Sequence, residues 1–296
     1  LGGLWILYEF LNPGMLGTAN AFKNFNNANP SPEVLESLKH AFNPMILRRK
    51  KSEVAKELPA KTEQILHCEM SGSQLTYYNQ LRDSFRKSLL DSTSKSNNKI
   101  KILEALTRLR QAACHPAMID PKEFADSSSA KLQLVIPMVL EIIEEGHKVL
   151  IFSQFTKFLS LVKKEFDKVG MNYEYLDGRT RDRQSKVKNF QENEDCKLFL
   201  ISLKAGGTGL NLTEAEYVFI LDPWWNPAVE AQAIDRAHRI GQKRSVFAYR
   251  VIAKDSVEEK ILLLQKSKKA LADSILGGDT SGLRSMSKED LEILFS

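Results

Sequence analysis

Four segments of the chain combine residue types that could handle phosphate. The first is Gln232-Ala-Ile-Asp-Arg236-Ala-His-Arg239-Ile-Gly-Gln242. If it is helical, Gln232, Arg236 and Arg239 fall at i, i+4 and i+7 on one stripe. Two guanidiniums and an amide then face one way, and guanidinium forks suit charge developing on a phosphoryl group. Asp235, four before Arg239, could steady it; a salt-bridged surface helix fits the same spacing. The second segment, Ser202-Leu-Lys204-Ala-Gly-Gly207-Thr-Gly209-Leu-Asn211, follows an apolar run. Its glycines would let backbone amides approach an anion or a nucleotide, and a plain turn uses the same residues. The third is Asp222-Pro-Trp-Trp225-Asn-Pro227. Trp224 reads as packed under the loop, whereas Trp225 is either packed or turned outward to stack on or wedge into nucleic acid. The fourth, Leu176-Asp-Gly-Arg179-Thr180, offers hydroxyl, amide and guanidinium groups at a strand-to-helix turn, with Thr180 as N-cap.

The positioning elements follow from periodicity. Helix Lys131–Glu145 precedes strand Val149–Phe152, helix Lys157–Val169, strand Tyr173–Leu176 and helix Arg181–Gln191. Strands Leu198–Ser202 and Tyr217–Leu221, helix Ala228–His238 and strand Val246–Ile252 complete the series. The strands are short, continuous and apolar, as when helices cover both faces. This alternation predicts a right-handed, mostly parallel α/β sheet, with ligands at the carboxyl ends of its strands. A further helix opens at Ser256 and Glu259 in capping-box spacing, carries Val257, Ile261, Leu264, Leu271 and Ile275, and stops at Gly277-Gly278. A last helix is expected at Lys288–Phe295. Upstream, helices are expected at Leu4–Leu11 and Val34–Phe42. Gln64–Met70 alternates like a strand, Ser71 and Gln74 cap helix Gln74–Leu89, and helix Lys99–Ala113 follows.

Composition narrows the classes. Hydrophobic residues make up 43% and charged residues 27%, ordinary for a globular protein. No apolar run approaches the ~20 residues of a membrane span, and the start lacks a basic leader, so a signal peptide is not expected. The chain opens on Leu1-Gly2-Gly3, which reads as a fragment. Cys68, Cys114 and Cys196 are widely spaced without a CxxC pair, against a disulfide framework or a zinc site. The net charge of +5 is mild, but basic clusters at Arg48–Lys51, Arg179–Lys188, Arg239–Arg250 and Lys266–Lys269 suit a phosphate-backbone partner.

Taken together, these segments resemble the Swi/Snf family of superfamily-two helicase-like ATPases. Val149–Thr156 is similar to motif IV, Ser202–Leu212 to motif V and Gln232–Gln242 to motif VI. Leu176–Thr180 looks like the nucleic-acid motif between IV and V, and Asp222–Pro227 like the family's Asp-x-x-Trp-Asn-Pro stretch. Leu4–Gly14 resembles the end of a first lobe, and Leu47–Val54, Leu58-Pro59 and Leu109–Pro116 the inter-lobe stretch. The compact form looks like that of prokaryotic members.

The resemblance implies a RecA-like, mostly parallel sheet flanked by helices, behind a mainly helical inter-lobe segment. Expected boundaries are 1–60 (end of lobe one and linker), 61–130 (helical protrusion), 131–275 (lobe two) and 276–296 (helical tail). It implies the second lobe of a double-stranded-DNA translocase or remodelling ATPase, using ATP with Mg2+ bound mainly by an N-terminal lobe. Arg239 matches the arginine finger and Arg236 its companion, with Gln232 in the same group. Gly207, Gly209, Asn211 and Asp235 would lie near the nucleotide. Gln154, Arg179, Thr180, Lys204 and Trp225 match positions facing the DNA backbone. Lys204 stands where the family commonly has arginine, so a bidentate contact is not expected there. The sequence holds no GxxxxGK[ST] and no DExH-type box, so activity in isolation is not expected. Partners would be duplex DNA, the N-terminal lobe and DNA-bound proteins, with no membrane. The location would be the nucleoid-bearing cytoplasm of a prokaryote or a eukaryotic nucleus. Two other readings compete. A non-catalytic binding module would not need Gln232, Arg236 and Arg239. A dinucleotide enzyme would need GxGxxG after the first strand, where this chain has none.

Overall fold

A computed structural model describes residues 2–15, 17–18, 55, 57–90, 98–206, 209–223 and 227–263. The chain divides into two compact units, residues 1–54 with 266–285, and 55–265 with 286–296. In the first, helix α1 (Gly2–Leu11) ends as its sequence predicts, in a turn where Gly14 takes φ +81° and donates its N–H to the Glu9 carboxylate at 3.2 Å. The expected helices at 34–42 and 288–295, the basic stretch 47–54, the tail 276–296 and residues 264, 271 and 275 lie outside the described residues.

The second unit contains β1 (Lys61–Cys68), α2 (Gly72–Leu90), α3 (Asn98–Cys114), α4 (Ala130–Glu144), β2 (Val149–Ser153) and α5 (Thr156–Lys168). There follow β3 (Tyr173–Leu176), α6 (Arg183–Glu192), β4 (Leu198–Ser202), the single turn α7 (Leu203–Gly206), β5 (Tyr217–Ile220), α8 (Pro227–Ile234) and β6 (Val246–Ala253). A helix α9 covers 257–263. The six strands form one sheet in the order β1-β6-β5-β2-β4-β3, and every pairing is parallel. No described helix is long and apolar enough to cross a membrane.

The continuous apolar strands serve two cores. Val149 and Ile151 of β2, Leu198 and Leu200 of β4 and Phe219 of β5 pack with Leu106 and Leu109 of α3, Val135 and Val139 of α4 and Phe158 and Val162 of α5. The alternate residues Leu150, Phe152, Phe199, Ile201, Val218 and Ile220 pack on the other face with Phe190 of α6 and Ala233 and Ile234 of α8. Successive strand side chains point to opposite faces, so a strand covered on both sides is apolar at every position.

One expectation changes. The pattern at 64–70 was expected within a helical protrusion that ended at 130. Residues 61–68 are instead an edge strand of the main sheet, paired with β6 from Lys61↔Val246 to Cys68↔Ala253. Tyr78 of α2 and Leu109 of α3 join the same core as Ile151 and Val251. A parallel partner so far along the chain leaves no local trace, because a strand's own pattern reports only which side is apolar.

Two fully buried charges bind this core to the strand ends. Lys131 interrupts the apolar stripe of α4, and Glu258 that of α9. Their side chains are 0% exposed and lie 2.7 Å apart. Lys131 Nζ also donates to the Leu221 carbonyl at 2.5 Å and the Val251 carbonyl at 3.2 Å, and Glu258 accepts the Ala253 N–H at 3.1 Å. Burial alone would push the lysine toward neutrality, but the adjacent carboxylate holds it charged. Breaking one half of such a pair strands the other in low dielectric. Lys131→Met should therefore cost about 3–5 kcal/mol in denaturant unfolding, and Lys131→Met with Glu258→Leu should recover most of that loss.

Candidate functional site

The carboxyl ends of β2, β4 and β5 open on one edge, and the loops that leave them carry most of the residues singled out above. Gln154 follows β2. Lys204 sits in α7, which begins directly after β4. A cavity of about 230 Å³ is lined by Gln154, Leu203, Lys204, Gly206, Val229, Gln232 and Ala233. Three predicted residues from separate segments, Gln154, Lys204 and Gln232, thus converge. Gly206 lets the α7 turn lie on the sheet: a Cβ there would stand 3.2 Å from Cε1 of Phe152, closer than most side chains tolerate. Gln154 Nε2 is buried and has no hydrogen-bond partner among the described residues. Lys204 and Gln232 are exposed at the rim.

The loop after β4 returns with Gly209 at φ +60°, a conformation that favours glycine, and both Gly209 and Asn211 are exposed. Gly207 and Trp225 lie outside the described residues, as do Thr208, Trp224 and Asn226.

The helix expected over 228–238 ends at Ile234, and residues 235–240 form tight turns. The i, i+4, i+7 stripe of Gln232, Arg236 and Arg239 is therefore not a helical stripe. The cause is visible in the backbone. The Arg236 carbonyl, which a helix would offer to Ile240, accepts the Leu212 N–H at 3.0 Å. The Ala237 carbonyl accepts Gln242 Nε2 at 3.3 Å. With both acceptors taken, the i→i−4 ladder stops. Gln242 is a buried brace of this turn: its Nε2 also donates to the Ala215 carbonyl at 2.8 Å, and its Oε1 accepts the Lys243 and Arg244 N–H groups at 2.9 Å. His238 Nε2 lies 2.9 Å from the Pro59 carbonyl. Arg236 is half-buried, while Asp235 and Arg239 are exposed.

After β3, Asp177 organises the turn. Its Oδ1 accepts the Arg179 N–H at 2.9 Å, and its own N–H donates to Thr180 Oγ1 at 3.0 Å. Burial works against ionisation, but the Arg179, Tyr175 and Thr180 donors hold the carboxyl below the usual carboxylate range. Thr180 is not the N-cap that its position promised. Asp182 caps α6 by accepting the Ser185 N–H at 3.0 Å, because Thr180 is already engaged with Asp177. The Arg179 side chain is exposed.

Residues to which the sequence reading gave no individual role anchor this edge. Asp222, fully buried after β5, accepts the Gln154 N–H at 3.2 and 3.3 Å and lies 3.8 Å from the buried Arg110 guanidinium. Glu230 of α8, also buried, is bound by Arg250 at 2.8 Å, and Arg250 reaches Glu63 of β1 at 2.9 Å. This ladder fixes the helix that carries Gln232 to β6 and the edge strand. The available signal was charge within apolar stripes, at Lys131, Glu230 and Glu258. Among the described residues, no group of three or more His, Cys, Asp or Glu side chains could hold a metal ion.

Two family models match the chain, one of the SNF2-related domain over residues 1–118 and one of the helicase conserved C-terminal domain over residues 130–241. An uncharacterized ATP-dependent helicase of Mycoplasma genitalium is 35% identical over 294 residues, covering 99% of this chain and 28% of that protein. The CHD3-type chromatin-remodeling factor PICKLE of Arabidopsis thaliana is 34% identical over 292 residues, covering 94% of this chain and 21% of that protein. The chain thus spans under a third of either relative. Among solved structures, the C-terminal domain of the Sulfolobus solfataricus SWI2/SNF2 ATPase superposes with TM-score 0.65 at 28% identity, over 79% of this chain and 97% of that one. The core of that ATPase in complex with double-stranded DNA gives TM-score 0.68 at 30% identity, over 98% of this chain and 63% of that one. The six-stranded parallel sheet between helices is the RecA-like arrangement of these ATPase cores.

Asp222 titrates far from an ordinary carboxyl. Burial raises it from 3.8 to about 7, against the opposing pull of Arg110. The folded protein then holds a proton that the unfolded chain has lost, so this group's contribution is full below 3.8 and vanishes as pH climbs through 7. Wild type should therefore lose Tm relative to Asp222→Asn as pH rises from 4 to 8. Thermal melts of both proteins at several pH values measure this, and a constant difference would refute it.

Proposed function

Because the chain belongs to the SNF2-related family of helicase-like ATPases, we propose that it is the second motor lobe of an ATP-dependent double-stranded-DNA translocase or remodelling enzyme. The cavity at the carboxyl edge carries the reading. There a buried amide donor, Gln154 Nε2, has no partner among the described residues, beside Lys204 and Gln232. Leaving a buried donor unmet costs about 1–3 kcal/mol, and a backbone phosphate oxygen is an acceptor that would relieve it. Arg179, Lys204 and Thr180 extend the same edge, and Trp225 would add an aromatic surface. Such contacts grip phosphate and sugar without reading sequence. Similarity to the core of the Sulfolobus solfataricus SWI2/SNF2 ATPase in complex with double-stranded DNA supports this assignment.

Arg239 is exposed on a turn braced from below by Gln242, a stable platform for a guanidinium that must reach out of its own lobe. We assign it as the arginine finger, with Arg236 as companion and Gln232 between nucleotide and DNA. Gly207, Gly209, Asn211 and Asp235 complete this chain's side of the nucleotide cleft. The guanidiniums fit anionic phosphate. Mg2+ is assigned with the P-loop to an N-terminal lobe, since the sequence holds neither GxxxxGK[ST] nor a DExH-type box. The role of this chain is to meet the developing phosphoryl charge with fixed cations and to hold the duplex backbone. By itself it would not hydrolyse ATP. DNA-bound proteins are the expected cargo, in a nucleoid or nucleus.

The test joins the chain to a P-loop lobe of the same protein and measures ATP hydrolysis with no nucleic acid, single-stranded DNA and duplex DNA. Duplex should stimulate the joined protein and leave the chain alone silent; no stimulation by any nucleic acid would point to a binding module. Arg239→Ala should keep Tm unchanged and lower duplex-stimulated turnover by at least ~10³-fold. Trp225→Ala should slow translocation more than hydrolysis, and equal losses would remove it from the coupling path.

A further inference from the structure

The last rung of the sheet between β5 and β2 is the Leu221 N–H donating to the Phe152 carbonyl at 2.9 Å. Beyond it the two chains leave the ladder, one toward Gln154 and one toward residues 224–226. Paired strands that lose their ladder are free to diverge, yet these loops stay joined. The Asp222 carboxylate accepts the Gln154 N–H through both oxygens, at 3.2 and 3.3 Å. Arg110, reaching in from α3, closes the arrangement. Its Nη2 donates to the Pro223 carbonyl and lies 3.8 Å from Asp222, while its guanidinium sits 5.4 Å from the Phe155 ring centroid. One buried side chain therefore touches the residue after Gln154 and the two residues before 224–226.

We propose that Arg110 is a positioning residue: its guanidinium clamps the loop after β2 to the loop after β5, and so sets the geometry in which they meet the DNA backbone. What the loops contact rests on the function proposed above; the clamp does not. A carbonyl and a carboxyl face Nη2 of this group, and a ring lies against its guanidinium carbon. A planar fork with several donors and a stacking face can serve all three, whereas an ammonium on a flexible stem cannot. Stability alone would not require this pair, since an apolar pair of similar volume is often as stable as a buried ion pair. The polar pair adds direction, by which the β5 loop is registered on the β2 loop.

The clamp is tested in the 296-residue chain by comparing wild type, Arg110→Lys, and Arg110→Met combined with Asp222→Asn. The double substitution leaves no unpaired buried charge, and the side-chain amide oxygen it places after β5 can still accept the Gln154 N–H. Three quantities are read: Tm, amide exchange at 153–156 and 221–222, and affinity for a duplex oligonucleotide. The double variant should recover most of the wild-type Tm while exchange at those amides speeds up and duplex Kd rises, each about tenfold. Arg110→Lys should show the same pattern and serves as the folded variant if the double one fails to fold. Recovery of exchange protection and DNA affinity together with Tm would make Arg110 structural only and overturn the proposal. Wild-type affinity in Arg110→Lys would overturn it equally. If wild type binds no duplex, the functional reading falls, and exchange decides the clamp alone: faster exchange supports it and unchanged exchange refutes it.

Discussion

A lysine ammonium sealed from water needs a carboxylate, and Lys131 finds Glu258 at 2.7 Å. Much of the second unit is arranged around that requirement. The ammonium also takes the carbonyls of Leu221 and Val251, at the ends of β5 and β6, and Glu258 takes the Ala253 N–H. Helices α4 and α9 are thereby tied to the same strand termini. Asp222 stands one residue beyond Leu221, within the electrostatic reach of both Lys131 and Glu258. Arg110 adds a second cation from α3. Four buried ionisable groups thus connect three helices to the carboxyl edge of the sheet. Their value lies in direction more than in net stability, since desolvation offsets much of the Coulomb gain.

The parallel sheet decides where those loops emerge. With every strand pointing one way, the segments after β2, β3, β4 and β5 all leave from the same edge. Short helices then return the chain over either face. The chain passes from β4 on one side of β2 to β5 on the other, and a crevice forms where the order reverses. Gln154 and Lys204 reach that crevice from two strands, and Gln232 from the helix after a third.

The turn carrying Arg236 and Arg239 shows how neighbours override local preference. Its residues would continue α8 comfortably. Leu212 and Gln242 occupy the carbonyls that the helix needs, and the chain bends into turns instead. Arg239 is left exposed on this turn. Gln242, which sits in the same sequence segment, is a brace within the fold.

Sequence alone determined the alternation of strands and helices between 130 and 253, because each element's period is local to its own residues. It also singled out Gln154, Lys204, Gln232, Arg236 and Arg239 as candidates, because their segments have a recognisable order and chemistry. It placed Thr180 as a cap and the arginines on one helical stripe, since spacing does not say which of several neighbouring groups takes a hydroxyl or a carbonyl. Asp177, Asp182 and Gln242 stand in or beside those segments and compete locally, and tertiary structure added Leu212, which takes the Arg236 carbonyl. It alone gave β1 its partner and Arg110, Lys131, Asp222 and Glu258 theirs. A charge or a strand edge states that it needs a partner, but which distant group satisfies it is decided only when packing brings the two together.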